Sequence, residues 1–334
     1  MAVANTEPFG YNTTGIEFKE VYLKPIYTDA RINTLFNVIP GIASKATIPL
    51  DSEFEKIVRS APDCDTDTEG ADINVDSAVL EVCELGFDRF QCMKDFYASF
   101  RQEYLKLDAN GMTKDEYLKK YIEDKFKQAM LKDTFRIAML GDISSSDPDY
   151  NQCDGIWKQI FALVGSYGIE RVTISHAAVL AAGTSIAAAG TFLQYFKDLY
   201  YGASAAFKAA EVSKKRFLVT GSIYDALDQA YDVLRANNGY IEGLQKAGDK
   251  LTFKGIEVYP LYSLDGYIET DLGGTYPDRI IYYHKDAIAI GMDGESDDEN
   301  LEILEDKVGK RLLYRGFYRM GVKILFPDFV RVAY

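Results

Sequence analysis

The chain has 334 residues, with 51 Asp and Glu against 37 Lys and Arg and a formal net charge of −14. That length supports one large or two ordinary domains with real cores, and 47% hydrophobic with 26% charged residues is a globular rather than a disordered balance. The acidic excess excludes a protein that works by neutralising phosphates over a broad basic face, and no run approaches the roughly 20 apolar residues of a membrane helix.

Residues 1–33 read as an arm. They lack sustained periodicity, carry Pro8, Gly10, Gly15 and Pro25, and space their apolar residues too widely to close a core. Phe9, Tyr11, Ile16, Phe18, Tyr22, Ile26 and Tyr27 favour an arm laid across another surface over a disordered tail, because disordered tails are poor in aromatics. The opening MAVANTEPFGYN has neither a basic patch nor an apolar core, so no signal peptide is expected.

Ser44 to Leu50 and Ile73 to Leu85 read as extended, flanking the acidic, turn-rich Ser60 to Asp72. Together they predict a long β-hairpin, a form that is marginal in isolation and needs a surface to lie on. Phe87 to Met93 follows as a strand, and Phe96, Tyr97, Phe100 and Tyr104 mark a short helix. Thr113 to Gly141 then predicts one long helix. Thr113 and Glu116 form a capping box, and Leu118, Ile122, Phe126, Ala129, Met130 and Ile137 recur at helical spacing. Gly141 offers a left-handed C-cap. At 1.5 Å per residue the rod is about 40 Å long.

Asp142 to Asp154 reads as a linker, after which β and α alternate. Asp154 would cap a helix bearing Ile156, Trp157, Ile160, Phe161 and Val164, and Arg171 to Ser175 is a strand. Thr191 would open a helix bearing Phe192, Phe196 and Leu199. Phe217 to Thr220 is a strand, and Ser222 would cap a helix with Ala226, Tyr231 and Leu234. Strands follow at Leu251–Phe253 and Ile256–Tyr259. The remainder is β: Arg279–Tyr283, Ala287–Met292, Leu301–Leu304, Leu312–Tyr318, Val322–Phe326 and Val330–Ala333, with an acidic loop at Asp293 to Asn300.

The residues point to no chemistry. Cys64, Cys83, Cys92 and Cys153 fall at no metal spacing and predict free thiols in a reducing cytosol. Asp63, Asp65 and Asp67 begin like a calcium loop, but Thr68 stands at the glycine position and Asn74 at the twelfth, so a solvated acidic tip is expected. No nucleotide-binding glycine motif occurs, and Gly273-Gly274-Thr275 reads as a turn. His176 and His284 read as structural, Asp297-Asp298 as solvated, and Lys214-Lys215-Arg216 as the flank of a buried strand. No catalytic, cofactor-binding or metal-binding residue is assigned, and no cofactor is implied.

The order of these parts is where a family shows. FKGIEVYPLYSL (Phe253 to Leu264), DRIIYYHKDAIAIGMD (Asp278 to Asp293) and RLLYRGFYRMGVKILFPDFVRVAY (Arg311 to Tyr334), placed after an arm, a hairpin and a long helix, resemble the major capsid proteins of tailed bacteriophages. Theirs is the Hong Kong ninety-seven fold, shared with encapsulins. The resemblance implies an α+β fold with an N-terminal arm at 1–33 and an extended loop at 44–85. It implies a peripheral domain at 86–145 and 296–325 containing the spine helix 113–141, and an axial domain at 146–295 and 326–334. It also implies a non-enzymatic subunit that self-assembles into pentamers and hexamers of an icosahedral phage head around double-stranded DNA, located in the virion and, during assembly, the host cytoplasm. Its partners would be copies of itself, packaged DNA contacted weakly, portal and decoration proteins, and no membrane. No helical, charged N-terminal extension precedes the arm, which implies a separate scaffold protein or an already mature chain. Lys45 and Lys56 lie in the candidate loop, but no Asn partner for a cross-link can be assigned. Two other readings stand beside this one: an encapsulin-type compartment, and an α/β small-molecule-binding protein or enzyme built from 154–295.

Overall fold

The computed structural model describes residues 30–51, 75–92, 114–165, 168–237, 243–248, 250–293, 302–306 and 311–334. Two sheets and one long helix organise them.

The larger sheet has seven strands: β5 (Glu170–Val172), β14 (Val330–Ala333), β10 (Ile280–His284), β6 (Lys215–Thr220), β9 (Ile256–Leu261), β8 (Lys250–Phe253) and β7 (Leu244–Ala247), in that spatial order. The crossover from β6 to its parallel neighbour β9 runs through α7 (Gly221–Ala236) and the β7–β8 hairpin. Ile280 to Tyr283 has no polar position because both faces of this sheet are covered. Ile280 and Tyr282 face one core with Phe217 and Val219, while Ile281 and Tyr283 face the other with Leu218. The first core is dense in rings: Phe217 stacks on Tyr282 at 4.4 Å, Phe207 at 4.6 Å, and Phe196 meets Phe253 at 5.6 Å. Helices α4 (His176–Ala181), α5 (Ile186–Gly202), α6 (Ala205–Ala209) and α7 supply its outer layer.

The smaller sheet is built on β13 (Arg311–Ile324), 14 residues long. It pairs antiparallel with β4 (Cys83–Cys92), β12 (Glu302–Asp306) and β11 (Ile288–Met292), and β1 (Asn37–Pro40) adds in parallel to β11. One strand therefore replaces the two expected at 312–318 and 322–326. β11, which the resemblance would group with the axial domain, hydrogen-bonds into this sheet.

After a short helix α1 (Ala30–Leu35), the spine helix α2 (Lys114–Leu140) runs for 27 residues within the expected 113–141. Met130, Thr134, Ile137, Ala138, Met139 and Leu140 are buried, with Thr134 Oγ1 3.3 Å from the Tyr318 hydroxyl; Ala129, placed on the apolar face by its spacing, is exposed. Thr113, the predicted cap, lies outside the described residues, as do the arm before residue 30 and the helix expected at 96–104.

At the far end Gly141 is not left-handed. A Cβ there would collide with the Cys153 carbonyl and lie 2.7 Å from that of Ile137. Glycine is required by close approach: the Gly155 N–H donates to the Gly141 carbonyl at 2.8 Å, and the Asp142 N–H donates to that of Tyr150 at 2.8 Å. The expected linker is thus an ordered elbow between α2 and α3 (Ile156–Leu163). Asp154 does not cap α3. Gly155 holds that position, and the Asp154 carboxylate accepts from the Ile143 N–H at 2.9 Å.

Three further boundaries differ from expectation. α5 begins at Ile186, five residues before Thr191, because Ser185 caps it by accepting from the Ala188 N–H at 3.2 Å. β5 ends at Val172 instead of Ser175. α7 is entered from Thr220, and Ser222 instead donates to Asp278 at 2.7 Å.

Candidate assembly surface

The predicted hairpin is present as β2 (Lys45–Asp51) paired antiparallel with β3 (Val75–Glu81); the acidic tip with Asp63, Asp65, Asp67, Cys64 and Lys56 lies outside the described residues. What positions this hairpin is a bare patch on the smaller sheet. Gly291 of β11 and Gly321 of β13 are direct cross-strand partners. A Cβ at Gly291 would sit 2.8 Å from Leu80 Cδ2, and one at Gly321 would run into the Glu81 carbonyl. Two facing glycines therefore open a slot in which the root of β3 lies directly on the sheet, as glycine inside a strand permits.

Leu80 is fully buried there with Ile42, Ala289 and Leu325, and Ala46, Ile48, Leu50 and Ala78 pack around them. Ala46, Ile48 and Leu50 thus form one apolar face of β2, alternating with Lys45, Thr47 and Pro49. The Ile42 N–H donates to the Met292 carbonyl at 3.1 Å, the Val82 N–H to that of Ser44 at 2.9 Å, and Lys45 reaches Glu81 at 2.5 Å. The Lys45 hydrogen bond and charge hold the Glu81 carboxyl below its ordinary range. Beside the root, Cys83 is joined to Cys153 by a disulfide. This corrects the expectation of free thiols at those two positions: 70 residues separate them, so no local spacing could reveal the pair.

A second surface lies at α4 and α5. From Ala177 to Phe196 the chain carries no charged residue. Ala182, Ala189, Phe192, Leu193 and Phe196 face inward, which leaves Leu180 at 69% and Ile186 at 47% exposure among exposed alanines, serine and threonine. In a chain of net charge −14, an uncharged and finely textured face can approach another copy without repulsion.

The other sequence candidates are absorbed by the fold. His176 Nδ1 lies 2.5 Å from buried Asp278, whose other oxygen accepts from Ser222. The carboxylate sits between hydroxyl and imidazole, so this is not a nucleophile–base pair. His284 accepts from the Asp286 N–H at 3.3 Å and stacks edgewise on Phe329; burial pushes its pKa down. Lys214 pairs with Asp286 at 3.0 Å, buried Lys215 donates to the Lys208 carbonyl at 3.0 Å, and Arg216 donates to the Lys215 carbonyl at 2.7 Å. That basic cluster is spent internally. Gly273 and Gly274 have φ of 62° and 68°, as a turn after α8 (Tyr262–Thr270) requires. Among the described residues no His, Cys, Asp and Glu group could hold a metal ion, and no helix is long and apolar enough to cross a membrane. Asp297 and Asp298 lie outside the described residues.

Comparison of the sequence with protein-family models and with curated proteins finds no match. Solved structures do match. A chain of the satellite phage P4 procapsid, a structure including the size determination (Sid) protein, aligns at a TM-score of 0.53 and 9% identity over 90% of this chain and 92% of its own. A chain from the capsid of Myoviridae phage XM1 aligns at 0.51 and 14% identity over 90% of each. At such identities the shared property is the fold, and it is the Hong Kong ninety-seven type of phage major capsid proteins.

Proposed function

We propose that this chain is the major capsid protein of a tailed phage, assembling into pentamers and hexamers of an icosahedral head around double-stranded DNA. The observation that carries the reading is the sharing of a capsid fold across nine-tenths of the chain. In this reading 1–33 is the arm and 44–85 the extended loop. The peripheral domain comprises 86–145 and 296–325 with the spine helix, and the axial domain comprises 146–295 and 326–334, with β11 lent to the peripheral sheet. The arm, the hairpin and the uncharged α4–α5 face meet other copies, because surfaces repeated on identical subunits generate closed assemblies. The role is structural, and the acidic chain holds its DNA loosely. Scaffold, portal and decoration proteins are separate chains, and assembly takes place in the host cytoplasm.

Deleting 1–30 and, separately, 60–72 tests the reading. Lost or aberrant particles with retained secondary structure are expected; normal particles from both deletions would refute it. Nuclease-protected DNA in particles from infected cells distinguishes a viral head from a protein-filled compartment.

A further inference from the structure

We propose that Cys83 and Cys153 are a redox-conditional staple: two thiols while the chain is in a reducing compartment, and one disulfide after it meets small-molecule disulfides. Their Cα atoms are 5.9 Å apart, within the span a disulfide bridges without moving the backbone. Both cysteines are fixed by the same strand. Cys83 pairs across the ladder with Met320, and Cys153 Sγ lies 3.5 Å from the Met320 carbonyl. Strand pairing therefore places both cysteines against one residue, Met320.

The position of each cysteine gives the bond its consequence. Cys83 opens β4 two residues after β3 ends, at the hairpin root. Cys153 lies in the elbow, where its own carbonyl packs against Gly141 at the end of the spine helix. Closing the bond ties hairpin root to elbow and encloses β4 and the whole of α2 in a single covalent loop with a sequence separation of 70. Loops of that size restrict the unfolded chain strongly.

Exposure sets the order of events. Cys83 is half-buried, whereas Cys153 is 3% exposed. The Cys83 thiolate attacks a small disulfide such as oxidised glutathione and forms a mixed disulfide, releasing one glutathione thiol. The Cys153 thiolate then attacks the Cys83 sulfur and expels the second glutathione thiol. Two protein thiols become one disulfide while one glutathione disulfide becomes two thiols, so atoms and electrons balance. Reducing cytoplasm holds the pair open, and an oxidising exterior closes it. The inference is independent of the shell reading, since it concerns a bond within one chain.

The test uses the full-length chain, reduced and then held in either reduced or oxidised glutathione, with free thiols alkylated before peptide mapping. A linked Cys83–Cys153 peptide is expected only in the oxidised sample, with a thermal midpoint about 5–10 °C above the reduced sample. The Cys83→Ser/Cys153→Ser double variant should show one midpoint in both buffers. Cys153→Ala should stop at glutathione on Cys83, read as a mass increase. Two alkylated cysteines in the oxidised wild type, or equal wild-type midpoints in the two buffers, would overturn the proposal. Glutathione remaining off Cys83 in Cys153→Ala would overturn the stated order of attack.

Discussion

The seven-stranded sheet and the hairpin are held in opposite ways. The sheet is buried on both faces, with Phe196, Phe207, Phe217, Phe253 and Tyr282 in mutual ring contact beneath four helices. Among the described residues of the hairpin only Leu80 is buried, packed with Ile42, Ala289 and Leu325 at a slot that two glycines leave open. The first region carries its own stability. The second is seated at one end, and its remaining surface is offered to whatever lies beside it. A chain divided this way can keep its fold while its contacts with neighbours change.

The comparison makes ordered predictions. The largest loss should come from Phe217→Ala, which empties the centre of the aromatic core and costs about 3–5 kcal/mol, read by denaturant unfolding. A near-neutral result would mean that this core does not hold the seven-stranded sheet. Gly321→Val should cost about 1–3 kcal/mol by driving a side chain into the Glu81 carbonyl. Its loss should be accompanied by proteolysis within 44–85, whereas Phe217→Ala should open the chain throughout. Ser185→Ala removes the α5 cap and should cost about 1 kcal/mol.

His284 adds a pH dependence. Burial lowers its pKa from the ordinary 6.5, so the folded state disfavours the proton that the unfolded chain accepts. Its contribution is therefore present above about pH 6.5 and lost as pH falls from there through the folded value. His284→Gln should flatten the slope of stability against pH in that window, and an unchanged slope would remove His284 as its source. The smallest effect on stability belongs to Leu180→Asp, within about 0.5 kcal/mol, since the residue is 69% exposed. The same change places a charge on the uncharged face and should abolish assembly.

What the sequence revealed follows the same division. The spine helix was legible because 27 residues rich in helix formers and free of Gly and Pro leave few alternatives, and the strands at 217–220 and 280–283 because unbroken apolar runs bounded by turns do the same. Gly141 was misread because a glycine that ends a helix by left-handed geometry and one that admits a neighbouring carbonyl look alike in one dimension. The α5 start was masked by a tract of alanines with little periodicity, although Ser185 ahead of Ile186 carried the signal. The hairpin slot was written in Gly291 and Gly321, glycines inside otherwise strong strands, but their facing register exists only once β11 and β13 pair. Histidine, carboxylate and hydroxyl at 176, 278 and 222 likewise meet only through the fold.

The central claim is that this chain is completed by copies of itself, and negative-stain electron microscopy of the purified full-length protein, paired with sedimentation across a concentration series, tests it most directly. Closed, symmetric particles or discrete pentamers and hexamers are predicted. A concentration-independent monomer, with residues 44–85 as protected from protease as the seven-stranded sheet, would contradict it.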